Sequence, residues 1–126
     1  MAWPLRGRLS SNYGYRSNPF TNVRQFHNGI DIVASLNSAA HAAMDGRVAE
    51  IGYSTIFGNF IILTHSGGYQ TLYAHMNKIS VRKGQNISQG MTIGLTGSTG
   101  YSTGPHLHFG LFKNGVAIDP LKMLGS

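Results

Sequence analysis

A chain of 126 residues is the size of one compact domain, and residues 1–126 read as a single unit without a linker or low-complexity tract. It has no cysteine, which excludes disulfides, thiolate metal sites and a cysteine nucleophile together. Ten Lys and Arg against four Asp and Glu give a net charge of +6, a surface suited to an anionic polymer. The basic residues are scattered, however, with Arg82-Lys83 their only adjacent pair, so nucleic acid is not the expected partner. So few carboxylates also exclude a glycosidase-type acid pair and an oxygen-rich calcium or magnesium cage. The longest apolar run, Phe60-Ile61-Ile62-Leu63, is far short of the ~20 residues of a membrane span. The start, Met1-Ala2-Trp3-Pro4-Leu5-Arg6, does not read as a signal peptide.

In chain order, residues 1–35 read as irregular, with turn formers in Ser10-Ser11-Asn12-Tyr13-Gly14 and Ser17-Asn18-Pro19. Arg47-Val48-Ala49-Glu50-Ile51 reads as a strand after an Asp45-Gly46 hairpin turn. Residues 59–65 form a β-branched run ended by Ser66-Gly67-Gly68, and residues 69–75 are its antiparallel partner. Ile79-Ser80-Val81 is a further short strand. The stretch 83–94 reads as a hairpin with glycines at both corners. A Gly/Ser/Thr loop from 96 to 104 leads into a strand over 106–112. Asn114-Gly115 supplies another hairpin turn, and residues 120–124 one closing helical turn. No apolar pattern keeps a helical period for three turns, and glycine, at 17 residues, stands at about twice its average usage. The fold class is therefore all-β, mainly antiparallel.

With carboxylates scarce, histidine must carry most of any chemistry. Of six histidines, His106-Leu107-His108 is the sharpest local signal, because residues two apart on a strand share a face. Both imidazoles then face one way, with Leu107 and Phe109 facing a core. In His27-Asn28-Gly29-Ile30-Asp31, Gly29 and the β-branched residues that follow favour extended chain, where i and i+4 also share a side. Two imidazoles and a carboxylate suit zinc, and three protein ligands leave a fourth position open for water. A histidine is more often a hydrogen-bonded core or surface residue than a ligand. Spacing alone leaves both readings open.

Three blocks add a resemblance that covers residues 11–124. Phe26-His27-Asn28-Gly29-Ile30-Asp31-Ile32, Leu72-Tyr73-Ala74-His75-Met76 and Gly104-Pro105-His106-Leu107-His108-Phe109 resemble, in order, the signature blocks of the lysostaphin-type zinc endopeptidases. Met44-Asp45-Gly46-Arg47-Val48, Lys83-Gly84-Gln85 and Gly90-Met91-Thr92-Ile93-Gly94 fit the same family. The resemblance implies the duplicated-hybrid-motif architecture, with a loop-walled groove. It implies one Zn²⁺ per chain held by His27, Asp31 and His108, with His75 and His106 as the catalytic pair. Gly110 departs from the family, many of whose members carry Glu there; an effect on local packing or on a substrate subsite is expected. His41 and His65 fall outside the signature and are read as non-catalytic. Tyr13, Arg16 and Asn18 precede the first block and offer at most one groove-lining side chain between them.

The implied substrate is the peptide cross-link of bacterial peptidoglycan, cut at a glycine bridge or a D-amino-acid link. The alternative within the family is a wall-binding regulator that activates another hydrolase without cutting. A histidine phosphocarrier is the reading from another class, but it needs neither Asp31 nor three ligands. A monomer is expected. So is an extracytoplasmic location, as the mature domain of a longer secreted precursor.

Overall fold

The computed structural model describes residues 1–17, 21, 23–100, 102 and 104–124. Among them the regular structure is almost wholly strand: β1 (Leu9–Ser11), β2 (Gly14–Ser17), β3 (Arg24–His27), β4 (Gly29–Val33), β5 (Ala39–His41), β6 (Gly46–Ser54), β7 (Gly58–Thr64), β8 (Tyr69–Ile79), β9 (Asn86–Ile87), β10 (Thr92–Thr96), β11 (His106–Lys113) and β12 (Val116–Ile118). Two short 3-10 turns, Ser66–Gly68 and Pro120–Lys122, complete the inventory. The main sheet runs β1-β4-β11-β8-β7-β6-β9, and β2 and β3 form a separate ribbon. The pairings are antiparallel throughout.

Alternation along the strands builds the core. Ile30 and Ile32 of β4, Ile61 and Leu63 of β7, Tyr73 of β8 and Leu107 and Phe109 of β11 are fully buried in one apolar cluster. Each such side chain contributes roughly 1.5–3 kcal/mol over its exposed state, which is enough to pin the register of the strands that carry them.

The long strand β8 is the axis of the sheet. β7 lies along one edge. Along the other edge β11 pairs with Tyr69–Ala74, and β10 pairs with Met76, Lys78 and Ile79. β10 and β11 thus lie end to end, and the chain between them leaves the sheet at the level of His75.

Several expected elements stand as read. β7 and β8 pair antiparallel, and β11 occupies the expected histidine strand with Leu107 and Phe109 in the core. β11 and β12 join through Asn114-Gly115, both at positive φ (50° and 81°), as a two-residue hairpin loop requires. The closing helical turn is the 3-10 turn at Pro120–Lys122, capped by the Asp119 side chain.

Four expectations are corrected. Residues 1–35 are not wholly irregular: they hold four short strands, with Ser10 and Ser11 inside β1 and Ser17 ending β2. Asp45-Gly46 does not close a hairpin, because β5 pairs with β10 while β6 turns back at 55–57 to pair with β7. Nor is 83–94 a hairpin. Its first half is tied to β6, by Val48 N–H to Gln85 O and Gly84 N–H to Val48 O, and its second half joins β5 and β8. Ile87 and Ile93 are each drawn into the core, and this separates the two halves. β8 ends at Ile79, so Ser80 and Val81 are not strand. Asn18 and Pro19 of the expected turn lie outside the described residues.

Candidate metal centre

β4 and β11 run side by side with His108 opposite Asp31 and His106 opposite Val33. Because Ile30, Ile32, Leu107 and Phe109 take the core face, Asp31, His106 and His108 share the other. His27 comes from a different element, the last residue of β3 in the ribbon, and the chain crosses to the sheet at Asn28. The four-residue spacing therefore works across a junction between two sheets rather than along one strand. His27 Nε2 lies 3.4 Å from Asp31 Oδ1 and 3.1 Å from His108 Nδ1, and His108 Nδ1 lies 2.9 Å from Asp31 Oδ1. All three residues are buried.

The spacing has a chemical meaning. Three donors each about 2.0–2.1 Å from one tetrahedral ion stand roughly 3.3 Å apart, and the observed edges bracket that value. His27, Asp31 and His108 could hold a metal ion. His27 Nδ1 is 3.0 Å from the carbonyl oxygen of Asn12, which can only accept, so the proton sits on Nδ1 and Nε2 offers its lone pair. Burial alone would raise the Asp31 carboxyl. The close approach of His108 and His27 outweighs it and holds the group well below the usual carboxylate range. For His108, burial outweighs the attraction of Asp31 and lowers the imidazole, leaving it unprotonated, as a ligand must be.

Two more imidazoles border this cluster. The rings of His75 and His106 are 4.7 Å apart between centroids, and His106 Nε2 is 3.7 Å from Asp31 Oδ1. His75 Nδ1 donates to the Thr99 carbonyl at 2.7 Å, and His106 Nδ1 donates to the Gly104 carbonyl at 2.8 Å. With Nδ1–H committed to a carbonyl in each ring, Nε2 is the nitrogen left for other partners. Burial, reinforced by the neighbouring His106 and His108, lowers His75 to about 4, so it is neutral at pH 7. His75 also has φ 64°, left-handed backbone that costs a non-glycine residue about 1–2 kcal/mol.

The remaining sequence candidates are elsewhere. His41 Nδ1 faces Thr92 Oγ1 at 3.3 Å. His65 lies between the Asp45 carbonyl, 2.7 Å from Nδ1, and Thr71 Oγ1, 2.8 Å from Nε2. The Tyr13 hydroxyl donates to the Ala117 carbonyl at 3.2 Å, tying the ribbon to β12. Arg16 belongs to β2, and Asn18 lies outside the described residues. Gly110 is paired with Gly29 and Leu72, and a Cβ there would stand 3.2 Å from the Phe112 ring, a packing constraint. Sequence reading missed Asn12, Thr99 and Phe57, whose ring stacks on His108 at 5.8 Å. The first two act through backbone carbonyls, which no side-chain motif reveals.

The sequence pattern of peptidase family M23 matches residues 25–120. A curated relative, peptidoglycan DD-endopeptidase ShyC of Vibrio cholerae serotype O1, is 40% identical over 114 residues, covering 90% of this chain and 26% of its own. Among solved structures, a zinc-containing peptidase from Vibrio cholerae superposes with a TM-score of 0.86 at 32% identity, over 93% of this chain and 37% of the other. The catalytic domain of lysostaphin from Staphylococcus simulans superposes with a TM-score of 0.84 at 32% identity, over 93% of this chain and 91% of the other. The chain spans about a quarter of the length of the curated relatives it matches.

Proposed function

The chain belongs to peptidase family M23, and on that premise we propose that it is a zinc endopeptidase hydrolysing peptide cross-links of bacterial peptidoglycan. The observation that carries the reading is the convergence of His27 Nε2, Asp31 Oδ1 and His108 Nδ1 beside two further imidazoles. In this reading those three atoms hold one Zn²⁺, and His75 and His106 are the catalytic pair. When bound, the ion would supply Lewis acidity to the scissile carbonyl and to the attacking water.

The chain's own residues do the rest. His75, neutral and with its lone pair on Nε2, accepts the proton of the attacking water. His75, with its proton on Nδ1, must first gain one on Nε2 before it can donate to the leaving amine. Proton uptake and proton delivery are therefore successive tasks of the same nitrogen. Phe57, stacked on His108, excludes solvent from one side of the cluster. The likeness to a relative named as a DD-endopeptidase supports the D-amino-acid cross-link over the glycine bridge. Such a substrate places the protein outside the cytoplasm, where we take it to act as a monomer.

Metal content and digestion of purified peptidoglycan, measured together, test the reading. The wild type is expected to carry one zinc and to release muropeptides. His108→Ala should lose the metal, whereas His75→Ala should keep it and lose about 10²–10⁴-fold in turnover. A zinc-loaded wild type that cuts neither D-amino-acid nor glycine-bridged walls would transfer the assignment to a non-cutting regulator.

A further inference from the structure

His75 stands at a bulge. Asn59 of β7 is paired with Met76 and Ile61 with Tyr73, so Ala74 and His75 together oppose Phe60 alone. An extra residue of this kind re-aims a side chain, and here it occupies left-handed backbone at φ 64°. On the other edge of β8, pairing with β11 stops at Ala74 and pairing with β10 starts at Met76. The sheet ladders therefore pass His75 by, and its N–H donates to the Phe57 carbonyl at 2.7 Å instead.

The Thr99 contacts surround the same point. Its carbonyl accepts from His75 Nδ1 at 2.7 Å. Its hydroxyl donates to the Met76 carbonyl at 2.8 Å and accepts from Asn59 N–H at 3.2 Å. One residue thus grips the bulged ring and both members of the Asn59–Met76 pair that closes the bulge on one side. Gly58 and Gly100, both at positive φ, permit the approach: a Cβ on Gly58 would collide with Thr99, and one on Gly100 with the Gly58 backbone.

We infer that Thr99 is a positioning residue for His75: its hydroxyl anchors the carbonyl that holds the ring in one orientation and one tautomer, with Nε2 free towards the metal cluster. The inference rests on the peptidase reading for its kinetic consequence but not for its structural one. A hydroxyl that served packing alone would change stability and leave the ring's tautomer as it was.

The test compares Thr99→Val, which keeps shape and carbonyl but loses the hydroxyl, with Thr99→Ser, which restores it. Zinc content, the tautomer of His75 by nitrogen NMR, and kcat and KM on a cross-linked muropeptide are read on each. Thr99→Val is expected to keep zinc and KM, to lose about tenfold or more in kcat, and to show His75 divided between tautomers. Thr99→Ser should recover the single Nδ1–H tautomer and most of kcat. A single Nδ1–H tautomer and undiminished kcat in Thr99→Val would overturn the inference. So would an equal kcat loss in both variants. If Thr99→Val does not fold, Gly58→Ala, which pushes on Thr99 with its hydroxyl intact, must disturb the same tautomer; a single tautomer there counts against the inference. The NMR reading is independent of turnover, so a protein that cuts nothing would sink the peptidase reading while leaving this one open to test.

Discussion

At the scale of single residues, the cluster depends on what is missing as much as on what is present. Gly29 faces Gly110 across the β4–β11 ladder, and a Cβ at 29 would meet the Phe109 carbonyl and stand 3.0 Å from His108 Cε1. Gly29→Ala must push β11 away or tilt the His108 ring. It should cost about 1–3 kcal/mol of stability by denaturant unfolding and weaken zinc retention in competition with a chelator. Unchanged zinc affinity would show that the close approach matters to the sheet and not to the ring. The histidines and Asp31 that converge here were readable because what each offers lies in its side chain. The partners that orient them were not, since Asn12, Thr99 and Gly104 contribute carbonyl oxygens that any residue could offer.

At the scale of elements, β8 and the residues that flank β6 and β7 carry a buried polar chain away from the His27–Asp31–His108 cluster. His65 Nδ1 donates to the Asp45 carbonyl, and its Nε2 faces Thr71, whose hydroxyl lies 2.9 Å from that of Tyr73; Ala43 N–H donates to the Tyr73 hydroxyl at 2.9 Å. Burial pushes the Tyr73 phenol up to about 12, so it stays a hydroxyl. Burial also lowers His65, outweighing the Asp45 carbonyl. With the folded value below the unfolded one, the unfolded chain takes up the proton first as pH falls. Stability is complete above about pH 6.5 and is lost below it, towards the folded value. Melting temperatures should therefore drop between pH 7 and 5, and His65→Gln should flatten part of that slope. An unchanged slope in the variant would place the titration on other histidines. Strand identity was legible here from β-branched runs and Asn-Gly turns. Pairing was less so: the glycines of 83–94 suggested a hairpin, but Ile87 and Ile93 insert at separate places in the core, and local turn chemistry yields to that burial.

At the scale of the whole molecule, the cluster gathers residues from the ribbon and from two strands of the main sheet. His27 and His108 are 81 positions apart, and Asp31 and His108 are 77 apart. A metal held by all three therefore ties most of the chain together and binds only the folded form. At a free zinc level near a hundred times its dissociation constant this adds about 2.7 kcal/mol, or about 10 °C in melting temperature for a domain of this size. Chelation should remove that increment from the wild type and leave the melting point of His108→Ala where it is; equal responses would place the metal elsewhere. Distances of this kind are invisible in composition, and only the order of the three signature blocks pointed to them. The order also sets a sequence in time. During synthesis His27, Asp31 and His75 all leave the ribosome before β11, the strand on which Asp31 finds its partner. A nascent chain, or one that stops before residue 106, carries His27, Asp31 and His75 with nothing to assemble them, so the cluster takes shape only once β11 has been made.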